Sequence, residues 1–129
     1  MTRKRSSRPM FLNPVSIGLP VGAITSFAHR VSGVLMVAGC VAAIYLLDRS
    51  LQSEVEFSRV VALFDRVIVK GFAIVFVWAL AHHLAAGVRH MLMDIDVGAS
   101  LPRARRSAWA VNLGALAVAL LAAMTMVAA

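Results

Sequence analysis

The stretch VSGVLMVAGCVAAIYLL, from Val31 to Leu47, contains no charged side chain. That run of seventeen residues sets the architecture. A helix rises about 1.5 Å per residue, so a hydrocarbon layer of roughly 30 Å takes about 20 residues to cross. Traced back to Val21, the same run is interrupted only by His29 and Arg30, apart from the weakly ionising Cys40 and Tyr45. Lipid offers no hydrogen-bond partners, and a helix satisfies its backbone within one segment. Val21 to Leu47 is therefore read as a first transmembrane helix.

Outward from it the pattern repeats. Residues 48–59 carry Asp48, Arg49, Glu54, Glu56 and Arg59, a short mixed-charge loop. The stretch 60–70 is apolar but broken by Asp65, Arg66 and Lys70, and reads as an amphipathic lead-in to a second helix. Gly71 to Val88 lacks Asp, Glu, Lys and Arg yet holds His82 and His83. Residues 94–106 form a polar loop with Asp94, Asp96, Gly98, Pro102 and three arginines, and Ser107 to Ala129 is again uncharged. Ahead of the first span, Pro9, Pro14 and Pro20 preclude a long helix, while Met10, Phe11, Leu12, Ile17 and Leu19 favour the membrane interface. The expected fold is an all-α membrane protein: one domain, 1–129, with an interfacial arm at 1–20 and three transmembrane helices at about 21–47, 68–93 and 107–128.

Composition agrees. Of 129 residues, 60% are hydrophobic and 15% charged, with a mean hydropathy of +0.83. Soluble domains run nearer 25% charged, and a soluble chain this short could not bury so much apolar surface. The net charge of +7 does not point to nucleic acid, because the bases gather at the ends of apolar runs. Arg3, Lys4, Arg5 and Arg8 precede the first, and Arg103, Arg105 and Arg106 precede the last. The positive-inside rule puts both groups on the cytoplasmic side, and the 48–59 loop outside. In a bacterial inner membrane the N-terminus is then cytoplasmic and the C-terminus periplasmic. Cys40 is the one cysteine, so no internal disulfide forms, and it reads as a helix-packing residue. No apolar run followed by a small-residue cleavage site precedes residue 20, so no cleaved secretory signal is expected.

Ionisable groups inside a span are expensive and need a partner or a function. They are His29 and Arg30 in the first helix, and His82, His83, Arg89 and His90 in the second. With the second helix running back towards the arginine-rich side, both groups fall at similar depth. Ser26, Arg30 and Gly33 share one helical stripe, and His83, Gly87 and His90 share another. A histidine one turn from a glycine suits a flat macrocycle, since the imidazole can bind iron while the glycine lets the ring approach the backbone. His82, about 100° round the helix, faces elsewhere. The residues alone also allow a snorkelling anchor, an interhelical hydrogen bond or a proton path.

Two of these stretches resemble a known family. Ser26-Phe27-Ala28-His29-Arg30-Val31-Ser32-Gly33 is similar to the S-x-x-H-R-x-[ST]-G signature of the cytochrome b membrane subunit of succinate dehydrogenase. His83-Leu84-Ala85-Ala86-Gly87-Val88-Arg89-His90-Met91-Leu92-Met93-Asp94 resembles its H-x-x-x-G-[apolar]-R-H-[apolar]-x-M-D signature, and Arg8-Pro9 its Arg-Pro start. Pro14 departs from the family's arm, where an apolar residue is usual. The resemblance implies that His83 is an axial ligand of haem b, with the second histidine supplied by a partner anchor subunit. It implies that Ser26 and Arg30 belong to a ubiquinone site, and that His29 and Arg30 lie near the haem propionates. Arg89, His90 and Asp94 belong to the signature as supporting residues, for a propionate or for proton supply.

The implied activity is electron transfer by the whole complex, with no catalysis by this chain alone. Succinate is oxidised at FAD in a flavoprotein subunit, electrons cross the clusters of an iron–sulfur subunit, and quinone is reduced where that subunit meets the membrane anchors. Two other readings are weighed against it. A haem-free anchor of a related fumarate reductase would lack the cofactor, and His83 argues against that. A transport or proton-path subunit would need ionisable groups through the full membrane depth, whereas the outer half of the first span and the third span lack them.

Overall fold

A computed structural model describes residues 18–128. Within them the chain is all-helical: α1 (Val21–Gln52), α2 (Glu54–Leu63), α3 (Val67–Asp94) and α4 (Leu101–Ala128). Three of these, α1, α3 and α4, are long and apolar enough to cross a membrane. The expected arm lies outside the described residues except for Gly18 to Pro20.

The helix ends follow local chemistry. Pro20 precedes α1, and its carbonyl accepts from Ala23 N at 2.8 Å. The first helix runs five residues past Leu47, to Gln52, and the expected 48–59 loop shrinks to a break at Ser53. Ser53 is extended, and its hydroxyl accepts from Glu56 N at 3.1 Å. Ser-x-x-Glu is the pattern of a capping box, which restarts a helix at once. Glu56 also pairs with Arg49 and Arg59, each at 2.5 Å, tying the end of α1 to the start of α2. The 94–106 loop shortens as well. Val97 N donates to Leu92 O at 2.9 Å and Asp96 N to Met93 O at 3.1 Å, the two bonds of a Schellman ending. The left-handed backbone this requires falls at Asp96 (φ 60°), with a second such residue at Gly98 (φ 77°). Pro102 is accommodated in the first turn of α4, where its missing N–H has no helical partner to lose.

The helices meet along small side chains. Ala79, His82 and Ala86 are the buried residues of α3, Ala108, Val111, Ala115 and Ala119 those of α4, and Thr25 and Ser32 those of α1. Stripes spaced by three and four lie on one helical face, and small residues let backbones approach without any help from water exclusion. The large apolar residues point outward instead, Val34, Val37, Val41, Phe72 and Leu84 among them. That inside-out distribution is the one lipid selects.

Two contacts fix the end of the bundle away from Gly18. Lys70 Nζ donates to Met126 O at 2.5 Å, placing a cation on the last carbonyls of α4. Gly39 lies directly under the ring of Phe76, and any Cβ there would collide with it. Gly39→Ala is expected to force α1 and α3 apart and cost about 1–3 kcal/mol. The measurement is the temperature at which the purified assembly loses this chain, which should fall.

Candidate functional site

The site is built on the flanks of the buried stripes. On α1 the interior side carries Thr25 and Ser32, with Ser26 and Arg30 exposed round from it. On α3 the interior side carries Ala79, His82 and Ala86, and His83 lies about 100° round from His82. The two flanks form a seam along one side of the α1–α3 pair.

His29 and His83 meet on that seam. Their rings stack with centroids 4.3 Å apart and planes inclined by 27°. His83 Nδ1 lies 3.1 Å from His29 O and 3.5 Å from Ser32 Oγ. A carbonyl oxygen only accepts, so Nδ1 carries the proton in that bond. The hydroxyl of Ser32 is spent on the same carbonyl at 2.9 Å, which leaves its oxygen free to accept as well. A neutral imidazole protonated at Nδ1 keeps its lone pair on Nε2, the form a metal ligand needs.

Gly33 eases this close approach. A Cβ on Gly33 would lie 3.0 Å from His83 Cε1 and 3.2 Å from Nδ1, so any larger residue there would push the imidazole off its seat against α1 by a few tenths of an ångström. Gly87 faces the other imidazole, and a Cβ there would meet His29 Nε2 at 3.6 Å. The two glycines of the two motifs thus face the two histidines of the opposite helices.

The remaining residues separate into two groups. Ser26, Arg89, His90 and Asp94 line a cleft of about 1030 Å³ at the Gly18 end of the bundle, together with Arg105 and Trp109. His90 Nε2 is 3.9 Å from Asp94 Oδ2, and both side chains are largely exposed. Arg89 is turned away to α4, donating from Nε to Ser107 Oγ and from Nη2 to Ala104 O, both at 3.0 Å. Arg30 is exposed and lies outside that lining.

Sequence reasoning passed over Ser32, Thr25 and Asn112. Ser32 stood inside the first motif as a variable hydroxyl, and its burial at 0% exposure marks it as a second acceptor for His83. Asn112 joins Thr25 and His82 in a buried polar cluster across three helices. The available signal was an amide standing alone in an apolar span, which has to find a partner.

The donor set fits a haem: one oriented imidazole with a free Nε2 lone pair, seated against Gly33 on the seam between α1 and α3. The chain also matches, over residues 4–122, the family described as succinate dehydrogenase/fumarate reductase transmembrane subunit. It is 34% identical over 121 residues to the succinate dehydrogenase cytochrome b556 subunit of Paracoccus denitrificans, covering 91% of this chain and 90% of that protein. It is 33% identical over 110 residues to the subunit of the same name in Coxiella burnetii, covering 82% and 86%. Motifs, three-helix architecture and full-length similarity agree, and the chain belongs to the succinate dehydrogenase/fumarate reductase transmembrane subunit family, as a cytochrome b anchor of the succinate dehydrogenase type.

Proposed function

We propose that this chain binds haem b through His83 and helps form the ubiquinone-reduction site of a succinate dehydrogenase, receiving electrons from succinate by way of FAD and iron–sulfur clusters in partner subunits. The observation that carries the reading is the hydrogen bond from His83 Nδ1 to His29 O, which presents Nε2 as a ligand. His83 would hold the haem, which would supply a one-electron carrier there. A second histidine would come from a small partner anchor subunit docked on the α1–α3 seam.

The chain's own groups do the rest. His29 packs against His83 and fixes its plane. Arg30, exposed on the same flank, pairs with a propionate or donates to a quinone carbonyl, and its planar fork suits either acceptor. Ser26 donates its hydroxyl to a quinone carbonyl, where negative charge grows as electrons arrive. His90 and Asp94 line the same cleft as Ser26 and can relay the two protons that quinone takes up. Arg89 holds α3 to α4 and supports the site from behind.

The orientation proposed has the Gly18 end in the cytoplasm, where Arg103, Arg105 and Arg106 gather, and α2 with its glutamates in the periplasm of a bacterium. The iron–sulfur and flavoprotein subunits then dock at the Gly18 end. The test is a reduced-minus-oxidised spectrum of the complex purified through this chain. Low-spin haem b absorbance is expected. A featureless haem region would overturn the cofactor assignment and favour a haem-free anchor.

A further inference from the structure

Behind the seam lies a polar cluster to which nothing above assigns a role. His82 Nε2 is 3.1 Å from Asn112 Oδ1, and Thr25 Oγ1 is 3.2 Å from the same atom. Thr25 and His82 are each 1% exposed. The Thr25 hydroxyl also reaches Val21 O at 2.9 Å, so its single proton is shared between two acceptors. The indole of Trp78 covers His82, with ring centroids 5.4 Å apart. His82 Nδ1 is buried with no hydrogen-bond partner among the described residues.

The chemistry leaves that nitrogen unpaired either way. If Asn112 presents its oxygen to His82, then Nε2 carries the proton and Nδ1 is a stranded lone pair. If the amide is turned over, its NH₂ donates to Nε2 and Nδ1 is a stranded N–H. A buried unmet polar atom costs about 1–3 kcal/mol. A leucine at position 82 would avoid that cost, so packing alone does not account for a histidine here.

Position does. Thr25 immediately precedes Ser26, and His82 immediately precedes His83. One amide on α4 therefore holds the residue next to the quinone donor and the residue next to the haem ligand. Arg89 and Lys70 tie the two ends of α3 to α4; between those ends the α4 contact is Ala108, Val111, Ala115 and Ala119, a smooth stripe that does not by itself resist rotation of α1 or of the middle of α3. Directional hydrogen bonds resist it, in the way that one buried asparagine fixes the register of a coiled coil. A helix with its side chains is about 10–12 Å across, so a turn of about 10° moves a rim atom by roughly 1 Å. Misplacement on that scale can cost about 100-fold in rate.

We infer that Thr25, His82 and Asn112 are positioning residues, a rotational lock through which α4 sets the aim of Ser26 on α1 and of His83 on α3. The inference rests on the functional reading given above. It also makes a split prediction, because Thr25 acts on α1 alone while Asn112 acts on both helices.

The test uses the whole complex purified through this chain, with Asn112→Leu, Thr25→Val and Thr25→Ser beside the unmodified protein. Haem midpoint potential and the KM and kcat for a short-chain ubiquinone are measured. Thr25→Val should lower kcat/KM for the quinone roughly tenfold, well inside the misplacement limit, with the potential unmoved. Thr25→Ser keeps the hydroxyl and should restore the unmodified kcat/KM. Asn112→Leu should lower kcat/KM and also shift the potential to a more positive value. Rotation of α3 lengthens the bond from His83 Nδ1 to His29 O, and an imidazole with less electron density stabilises ferric iron less. Unchanged kcat/KM and potential in assembled Asn112→Leu and Thr25→Val complexes would overturn the lock. So would Thr25→Ser behaving like Thr25→Val, since a methyl would then be the active feature. If Asn112→Leu does not assemble, the Thr25 pair decides the question through kcat/KM. An unmodified complex without haem would instead sink the reading of His83, and the kcat/KM of the Thr25 variants would still test the lock.

Discussion

His83→Ala should empty the haem site. At unchanged content of the iron–sulfur partner, haem b absorbance per complex is expected to fall by at least tenfold, since loss of a mere hydrogen-bond partner of a metal ligand already costs about 10–100-fold in affinity. Neighbouring histidines bear on the outcome differently. His82 cannot substitute: it is buried about 100° round α3 from His83, and its Nε2 is engaged by Asn112. His29 is already stacked on His83 at 4.3 Å and is the one imidazole able to lean into the vacancy. A residual, shifted spectrum in His83→Ala should therefore vanish in a His29→Ala, His83→Ala double variant. A full and unshifted spectrum in His83→Ala would show that the iron is held elsewhere. Reduced-minus-oxidised spectra of the purified complexes separate these results.

The same pair of histidines shows how far the sequence carries. Span lengths are legible because hydrophobic length is dictated by the membrane and not by details of packing. The depth match of His29 with His83 is legible too, since three spans and two charged loops leave little freedom of level. Which nitrogen of His83 faces α1 is not legible. It depends on the carbonyl of His29 being uncovered by Gly33, and so on an interhelical distance that sequence does not state. Asn112 was hidden for a related reason. An amide carries no charge to mark it among the ionisable groups of a span, and its partners Thr25 and His82 are remote in sequence. The helical break at Ser53 was readable in principle from Ser53-Glu54-Val55-Glu56, but the surrounding charges read more simply as a loop. Arg89 shows the opposite case. Its motif invites a role facing the cofactor, while two donor groups in fact hold Ser107 and Ala104 on α4.

Arg30→Ala separates the quinone from the haem. A guanidinium in an apolar span is costly unless it pairs or works, and Arg30 is exposed on the flank of α1 beside His29. Charge accumulates on the quinone oxygens during reduction, and a preset donor aimed at them is worth about 3–4 kcal/mol in related chemistry. Quinone reduction by the Arg30→Ala complex is accordingly expected to fall about 100–1000-fold in kcat/KM. Succinate oxidation with an artificial acceptor that takes electrons upstream should stay normal, which controls for assembly. Arg30→Lys keeps the charge without the planar fork and should recover only part of the loss. Haem absorbance should persist in both variants, because the bond between His83 Nδ1 and His29 O involves no atom of residue 30. Loss of haem and of quinone reduction together would instead assign Arg30 to a propionate. Full quinone reduction in an assembled Arg30→Ala complex would reduce the residue to an anchor whose stem lies in lipid and whose charge reaches the interface.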